Sequence, residues 1–293
     1  MPASMQGELQ PAIYRFKFGG FEIANIMDSK VIREGLYPSI GGNQPASAAE
    51  ELARANRIET NRFQHWFTPT LVNTGGQLVL FDTGNGSLRD EYEQLRGRMP
   101  EGQLVARLKQ AGYEAADVDI VVITHGHPDH IGVLTRGGKP VFPNARYVVQ
   151  RGEFEHAKKP NERDRASYFE ENYVPLESAG MLSLLEGDHT IVPGVELIVV
   201  PGHTAHMQCV KLTGGGKTAF FFADLIPTTA HLPLPWIMGY DLYPMTTLEN
   251  KKRWVPQVIR EGWLALFGHD ARVPAAYLRE RDYKWEAEPA QID

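Results

Sequence analysis

One stretch stands out in this 293-residue chain: Ile120-Val121-Val122-Ile123-Thr124-His125-Gly126-His127-Pro128-Asp129-His130. It begins as an apolar, β-branched run and ends with three histidines and one aspartate within six residues. Such a run is typical of a buried strand, and Gly126 and Pro128 oppose its continuation as a strand or as the interior of a helix. We therefore predict a buried strand that leads into a loop, where several side chains can point at one place.

The polar end of this stretch has the spacing H-x-H-x-D-H, which is formed by His125, His127, Asp129 and His130. Imidazole and carboxylate groups are ligands of zinc, iron and manganese, and four of them this close together are too many for one tetrahedral ion. The alternative is a polar surface loop with solvated histidines, which such clustering at a strand end disfavours. The pattern therefore predicts two metal ions.

Composition and charge limit the classes of protein that fit. The chain has 30 basic and 36 acidic residues, a net charge of -6 and no basic block, which argues against nucleic-acid or membrane partners and favours a small molecule.

One cysteine, Cys209, excludes an intrachain disulfide. The N-terminus lacks the features of a secretory signal, and no apolar run approaches about 18 residues, so we expect a cytoplasmic protein. We predict a flexible tail over residues 1–12 and a single domain over 13–293.

Apolar segments joined at glycines predict three hairpins, which pair residues 13–18 with 21–28, 67–74 with 77–82, and 207–212 with 217–223. Helical spacing predicts helices over residues 48–57, 101–111, 152–158, 162–172 and 247–261. The first of these helices follows Ser47-x-x-Glu50, which is typical of a capping box. Residues 225–245 are apolar but contain several prolines, so we predict an irregular loop that packs over the site.

Three further predicted strands are followed by residues of types that commonly bind metals. His203 follows the first strand, Asp224 the second and His269 the third. Strands that end this way suggest a site along one edge of a packed pair of sheets. The predicted ligands are five histidines and two aspartates: His125, His127, Asp129, His130, His203, Asp224 and His269. Seven ligands suit two ions, with Asp224 as a bridge and room for a bridging water whose pKa both ions lower.

The order of these motifs resembles the metallo-β-lactamase fold superfamily from about residue 65 to residue 270, including the upstream Asp82-Thr83-Gly84. The resemblance implies an α/β (α+β) fold, a four-layer αββα sandwich. It also implies that Asp82 orients a ligand histidine. One metal would bind His125, His127 and His203, the other would bind Asp129, His130 and His269, and Asp224 would lie between them.

Within the superfamily, the motif and the long loop after Asp224 resemble quorum-quenching N-acyl-homoserine lactonases and phosphotriesterases of the methyl parathion hydrolase type. True β-lactamases of this superfamily lack the bridging aspartate, so Asp224 argues against β-lactam hydrolysis. Thioesterases of the glyoxalase II type share the ligands but match the 225–245 loop less clearly. The tyrosine that lactonases have shortly after the bridging aspartate is absent from residues 225–229, and Tyr240 and Tyr243 are the candidates to replace it.

The remaining candidate residues are expected to support the ligands or to contact substrate. His206 lies three residues beyond His203 and either orients it or has a structural role. The apolar loop provides the predicted substrate-binding residues: His231, Leu232, Leu234, Trp236, Ile237, Met238, Tyr240 and Tyr243.

These features favour a binuclear metal-dependent hydrolase, with a lactonase that opens N-acyl-homoserine lactones as the first hypothesis. A metal-bridging hydroxide would attack the carbonyl, and Asp129 would be the catalytic residue that passes a proton to the leaving group. The alternatives are a phosphotriesterase or arylesterase of the methyl parathion hydrolase type and a non-catalytic metal-binding sensor. Zinc is the first choice of metal, with iron, manganese and cobalt open. The expected partner is a small-molecule ester or lactone, and a homodimer stays open.

Overall fold

Two seven-stranded sheets contain most of the strands of the protein, whose computed structural model describes residues 11–33, 35–37, 39–42, 44–56, 58–60, 63–86 and 102–291. The chain divides into two compact units. The N-terminal unit comprises Pro11–Val31 and Trp66–His189, and the C-terminal unit comprises Ile32–His65 and Thr190–Asp293. Of the predicted tail, residues 1–10 lie outside the described residues, and the single domain over 13–293 stays a prediction.

The first eleven strands are β1 Ile13–Phe18, β2 Phe21–Ile26, β3 Ser29–Arg33, β4 Phe63–Phe67, β5 Thr70–Asn73, β6 Leu78–Phe81, β7 Ile120–Val122, β8 Thr135–Arg136, β9 Lys139–Pro140, β10 Arg146–Gln150 and β11 Leu182–Leu185. The sheet of the N-terminal unit has the order β1-β2-β5-β6-β7-β10-β11. β6, β7, β10 and β11 are parallel neighbours, and Phe81 pairs with Val122. Because parallel strands end at the same edge, Asp82 after β6 and His125 after β7 lie at one edge of this sheet.

The remaining strands are β12 His189–Val192, β13 Val195–Val199, β14 Gln208–Gly214, β15 Lys217–Phe221, β16 Leu264–Leu266, β17 Ala275–Arg281 and β18 Lys284–Pro289. They form the second sheet in sequence order. β14 is antiparallel to both β13 and β15, and β15 is parallel to β16, so β13, β15 and β16 run in the same direction. The segments that contain His203, Asp224 and His269 therefore leave the C-terminal unit's sheet at the same edge.

Six α-helices accompany the sheets in the described part of the chain: α1 Ala46–Ala55, α2 Leu104–Gln110, α3 Pro128–Ile131, α4 Arg151–Lys158, α5 Val174–Ser178 and α6 Pro244–Glu261. α2 contributes Leu104 and Leu108 to the core of the N-terminal unit. This core also contains residues of the unit's sheet, such as Leu80 and Val121. α6 ends at Gly262, whose φ of 65° is a left-handed conformation that glycine adopts without strain. The sheets and helices confirm the predicted mixed α/β class. Among the described helices, none combines the length and apolar character needed to cross a membrane.

Two of the helix predictions were wrong in part. Residues 162–172 form the short 3-10 turns Arg165–Ser167 and Glu170–Asn172 instead of an α-helix. Asp164 Oδ1 accepts a hydrogen bond from the backbone N of Asn161 at 3.0 Å, and such local side-chain bonds compete with helix formation. The predicted capping box also fails, because α1 begins at Ala46 with Pro45 as its N-cap and Ser47 lies inside the helix.

Candidate metal centre

The H-x-H-x-D-H segment folds into a tight turn that continues into α3. His125, His127 and His130 are buried, and the Asp129 side chain is 23% exposed. His125 Nε2 lies 3.1 Å from His127 Nδ1, and the rings of His125 and His130 are 4.0 Å apart. Asp129 Oδ2 is 3.8 Å from His130 Nε2. Pro128 starts α3, since its missing N–H is not needed at the first position of a helix. The structure thus brings together all four predicted ligands of this motif.

Asp82 holds this turn from the neighbouring strand. Its Oδ1 accepts a hydrogen bond from the backbone N of Thr124 at 2.8 Å, and its Oδ2 accepts one from Thr124 Oγ1 at 2.9 Å. The same Oδ2 lies 2.8 Å from His130 Nδ1. Asp82 itself has a φ of 58°, which is unusual for a residue other than glycine. A carboxylate that orients a metal-binding histidine makes a contact of this kind with the second ring nitrogen.

Glu153 and Tyr168 hold the same turn on another side, and neither residue was predicted from the sequence. Glu153 on α4 is 1% exposed, and its Oε1 accepts hydrogen bonds from Gly126 N at 2.9 Å and from the Tyr168 hydroxyl at 3.3 Å. The Tyr168 ring lies 5.6 Å from the ring of His127. A Cβ atom at Gly126 would lie 2.8 Å from Tyr168 Cε1, so the close packing requires glycine.

In the C-terminal unit, Asp224 lies between two histidines. Its Oδ2 is 3.2 Å from His203 Nε2, and its Oδ1 is 3.0 Å from His269 Nε2. All three side chains are buried. The ring of His65, another buried residue, packs edge-on against His269 with 4.6 Å between centroids. One carboxylate therefore presents a separate oxygen to the Nε2 atom of each imidazole.

His203 has a carboxylate partner that the sequence did not reveal. Its Nδ1 lies 3.0 Å from Asp241 Oδ1, and Asp241 Oδ2 accepts a hydrogen bond from Thr247 Oγ1 at 2.6 Å. A Cβ atom at Gly202 would lie 2.4 Å from Thr247 Oγ1, so the chain can pass here only with glycine. No spacing rule links Asp241 to a histidine 38 positions earlier.

The donor set fits divalent metal ions. In His125, His130 and His203, Nδ1 is engaged by Thr124, Asp82 and Asp241 respectively, which leaves Nε2 as the atom available to a metal. Carboxylate or hydroxyl partners on the second ring nitrogen are typical of metal-binding histidines because they fix the tautomer and the ring orientation. Each of the seven predicted ligands also belongs to a group of His and Asp side chains that could hold a metal ion.

The other predicted site residues differ in exposure. His206 and Tyr243 are exposed, Leu234 and Tyr240 are half-buried, and Leu232, Ile237 and Met238 are buried. Trp236 is 9% exposed and belongs to a core cluster with Ala49 and Ala53 of α1. Most of the apolar side chains predicted to bind substrate therefore pack inside the C-terminal unit.

His231 is enclosed by hydrogen-bond partners. Its Nδ1 lies 2.8 Å from Thr228 Oγ1, and its Nε2 lies 2.8 Å from the carbonyl oxygen of Ser39. Burial lowers the pKa of His231 to about 4, although the bond to Ser39 opposes this shift. The imidazole is therefore neutral near pH 7, and contact with a substrate would require one of these bonds to break.

An open surface cavity of about 480 Å³ lies in the N-terminal unit, and it was not predicted from the sequence. Its volume falls in the range of small-molecule sites. The cavity adjoins the turn that contains His125, His127 and His130, because Tyr168 contacts His127 and is part of the cavity wall. The lining residues are Tyr168, Phe169, Glu170, Glu171, Val174 and Pro175.

The sequence of this chain is similar to those of known proteins. The family described as the metallo-beta-lactamase superfamily matches residues 68–277, a range that includes all seven predicted ligands. An N-acyl homoserine lactonase from Bacillus thuringiensis is 30% identical over 214 residues, which cover 68% of this chain and 79% of the lactonase.

Solved structures show the same fold. A probable metal-dependent hydrolase from Staphylococcus aureus matches with a TM-score of 0.81 at 26% identity, over 94% of this chain and 100% of that chain. AidC, a dizinc quorum-quenching lactonase in complex with a product, matches with a TM-score of 0.84 at 22% identity, over 96% of this chain and 98% of that chain. At 22% identity, this second likeness shows the fold alone.

Proposed function

The chain belongs to the metallo-beta-lactamase superfamily of hydrolases, and from this membership we propose that it is a binuclear metal-dependent lactonase that opens N-acyl-homoserine lactones. The relationship to an N-acyl homoserine lactonase at 30% identity supports this substrate class. The proposed metal ligands are the seven residues predicted from the sequence: His125, His127, Asp129, His130, His203, Asp224 and His269.

The observation that carries the binuclear proposal is the position of Asp224. Its two carboxylate oxygens face the Nε2 atoms of His203 and His269 at 3.2 and 3.0 Å. A carboxylate with one oxygen near each of two ligand nitrogens is suited to bridge two cations. When bound, two divalent cations would lower the pKa of water and polarise the carbonyl of an ester.

The residues of the chain would then have separate roles in ring opening. The oxygen of a water molecule adds to the lactone carbonyl carbon, the ring C–O bond breaks, and the proton released from the water passes to the former ring oxygen. We assign this proton transfer to a carboxylate oxygen of Asp129, whose side chain is partly exposed. Asp82, Thr124 and Asp241 keep the histidine rings in place during the reaction.

We place the acyl group of the substrate against the loop at residues 225–245. Leu234 and Tyr240 are half-buried and Tyr243 is exposed, so these three offer surface to a ligand, whereas the more buried residues back the loop. Tyr240 and Tyr243 are also the proposed replacements for the missing lactonase tyrosine. The cavity lined by Tyr168 and Val174 is the competing surface for the acyl group.

A phosphotriesterase is the second candidate, because residues 225–229 lack the tyrosine that the lactonases have shortly after the bridging aspartate. The test compares purified, metal-loaded protein on a series of N-acyl-homoserine lactones, an aryl ester and an aryl dialkyl phosphate. We expect the highest kcat/KM on the lactones. Efficient turnover of the phosphate beside inert lactones would favour the second candidate, and inertness towards all three classes would favour a metal-binding sensor.

Elemental analysis of the same preparation tests the cofactor. We expect about two divalent metals per chain, with zinc as the first choice, because seven ligands exceed the needs of one ion. No more than one tightly bound metal after reconstitution with excess zinc or manganese would contradict the binuclear site. The cytoplasmic location and the homodimer stay predictions.

A further inference from the structure

Lys251 is a buried lysine on α6 that the proposed reaction does not use. The residue is 0% exposed. Its Nζ donates hydrogen bonds to the carbonyl oxygens of Pro233 at 2.7 Å, Trp236 at 2.9 Å and Leu234 at 3.3 Å. An ammonium group has three N–H donors, whereas the neutral amine has two, so this arrangement suits the charged form.

A charge at this depth has an energetic cost. Burial lowers the pKa of Lys251 to about 7, and the negative charge of Asp241 opposes the shift. A methionine of similar length would avoid the cost of burying a charge but would remove a donor from three carbonyl groups, of which the Pro233 carbonyl keeps a bond from Trp236 N at 3.0 Å. The three bonds therefore favour one particular path of the loop, and they offset part of the cost of burying the charge.

The segment that Lys251 holds continues to Asp241, which contacts the proposed metal ligand His203. Asp241, five residues after Trp236, contacts His203 Nδ1 through its carboxylate. The next two residues hold the backbone around this ligand, since Leu242 N donates to the His203 carbonyl at 3.0 Å and Tyr243 N donates to the Gly202 carbonyl at 2.8 Å. α6 thus holds the segment at two points, with Lys251 at residues 233–236 and with Thr247 at Asp241.

We propose that Lys251 is a positioning residue for His203: its ammonium group fixes the backbone of residues 233–236, and this fixes the segment that brings the Asp241 carboxylate to the His203 ring. The proposal rests on the assignment of His203 as a metal ligand in the proposed function. It goes beyond that assignment because it adds Lys251 to His203 and Asp241, and Lys251 lies on a helix that contains no proposed ligand.

The test is a double-mutant cycle in zinc affinity, measured by competition with a chelator on the full chain. Lys251→Met and Asp241→Asn are made singly and together, and Lys252→Met is the matched control, since Lys252 is the exposed neighbour paired with Glu249. We expect Lys251→Met and Asp241→Asn each to weaken zinc binding by about tenfold or more. If Lys251 acts through Asp241, the double variant binds zinc no more weakly than Asp241→Asn alone. Lys252→Met should bind zinc like the wild type.

Additive effects in the cycle, or wild-type zinc affinity in a folded Lys251→Met protein, would overturn the proposal. If Lys251→Met does not fold, Lys251→Gln replaces it in the same cycle, because the shorter, uncharged amide has two N–H donors and cannot bond all three carbonyl groups. The ¹⁵N shifts of the His203 ring in metal-free protein give a second reading, and we expect the Nδ1–H tautomer to lose population in the Lys251 variant. Neither measurement needs hydrolysis. Zinc binding without lactone turnover would therefore contradict the proposed function alone.

Discussion

The Oδ2 atom of Asp82 lies 2.8 Å from Nδ1 of His130, and Asp82 makes this contact from a left-handed backbone conformation with a φ of 58°. Such a conformation costs free energy of about 1–3 kcal/mol in a residue other than glycine. The surrounding bonds hold it, since Asp82 N donates to the Val122 carbonyl at 2.9 Å and the carboxylate accepts two bonds from Thr124. Backbone strain at this position is coupled to the orientation of a proposed ligand.

We expect Asp82→Asn to weaken zinc binding by about 10–100-fold while the protein stays folded. Asparagine tolerates the left-handed conformation, but its amide has one acceptor oxygen in place of the two that Thr124 and His130 use. Chelator competition measures the affinity, and urea unfolding measures the stability. Asp119→Asn is the control, because Asp119 binds the backbone of Leu78 at the opposite end of β6. Equal zinc affinity in the wild type and Asp82→Asn would contradict the orienting role.

Asp224→Asn is expected to lower kcat strongly and to change the free energy of unfolding of the metal-free protein only slightly. The substitution removes a negative charge between two proposed cations and keeps nearly the same volume. Turnover of lactones, zinc content and urea unfolding are measured on the same preparation. Wild-type turnover with loss of zinc, or no change in either, would exclude the bridging role.

The acyl group should add binding energy with each methylene that the protein buries, roughly 0.8 kcal/mol per group. We therefore expect kcat/KM for acyl lactones to rise with chain length, and Trp236→Ala, which removes a buried side chain that backs the loop, to flatten this rise. Since Trp236 packs with Ala49 and Ala53, its loss should also destabilise the protein by about 3–5 kcal/mol. Assays are therefore run well below the melting temperature of each variant.

Val174→Ala is the matched comparison for Trp236→Ala, because Val174 lines the cavity of the N-terminal unit. If Val174→Ala flattens the dependence on chain length and Trp236→Ala leaves it unchanged, the acyl group binds in the cavity instead of against the loop. A flat dependence in the wild-type protein would contradict an apolar acyl site on either surface.

His231 predicts a loss of stability in acid. Its pKa is lowered from 6.5 to about 4 in the folded protein, so between these values the unfolded chain binds more protons than the folded one. Stability is therefore retained above pH 6.5 and falls as the pH drops towards 4, by roughly 3 kcal/mol at most. Urea unfolding of metal-free wild type and His231→Asn at pH 7 and pH 4.5 measures the difference. An identical dependence on pH in the two proteins would show that His231 does not titrate as the structure indicates.

The sequence predicted the strand ends well because local patterns encode them. β7 is a β-branched run that Thr124 and His125 follow closely, and the first two hairpins turn at glycine pairs, so neighbouring residues carried the signal. The contact of Asp241 with His203 could not be predicted in this way, because it joins positions 38 residues apart and has no motif. Lys251 was equally hidden, since a lysine on an amphipathic helix normally faces solvent.

β17 and β18 escaped prediction for a local reason. They are joined by Asp282 and Tyr283, with φ values of 48° and 60°, in a tight turn that usually needs glycine or asparagine. Tyr283 is 98% exposed and gives no turn signal, and the two strands are rich in charged residues. The pairing of Arg281 with Lys284 fixes this turn, so the tertiary structure overrides the preference of the sequence.

The two attachments of α6 to the segment at residues 233–241 also limit how this enzyme can be recombined. A chimera with a breakpoint between Trp236 and Lys251 would join loop carbonyls from one parent to a helix side chain chosen for another loop. The same breakpoint would separate Asp241 from Thr247 if it fell between them. The loop and α6 should therefore be exchanged together, and transplanting the loop at residues 225–245 from a relative should succeed only when α6 comes with it.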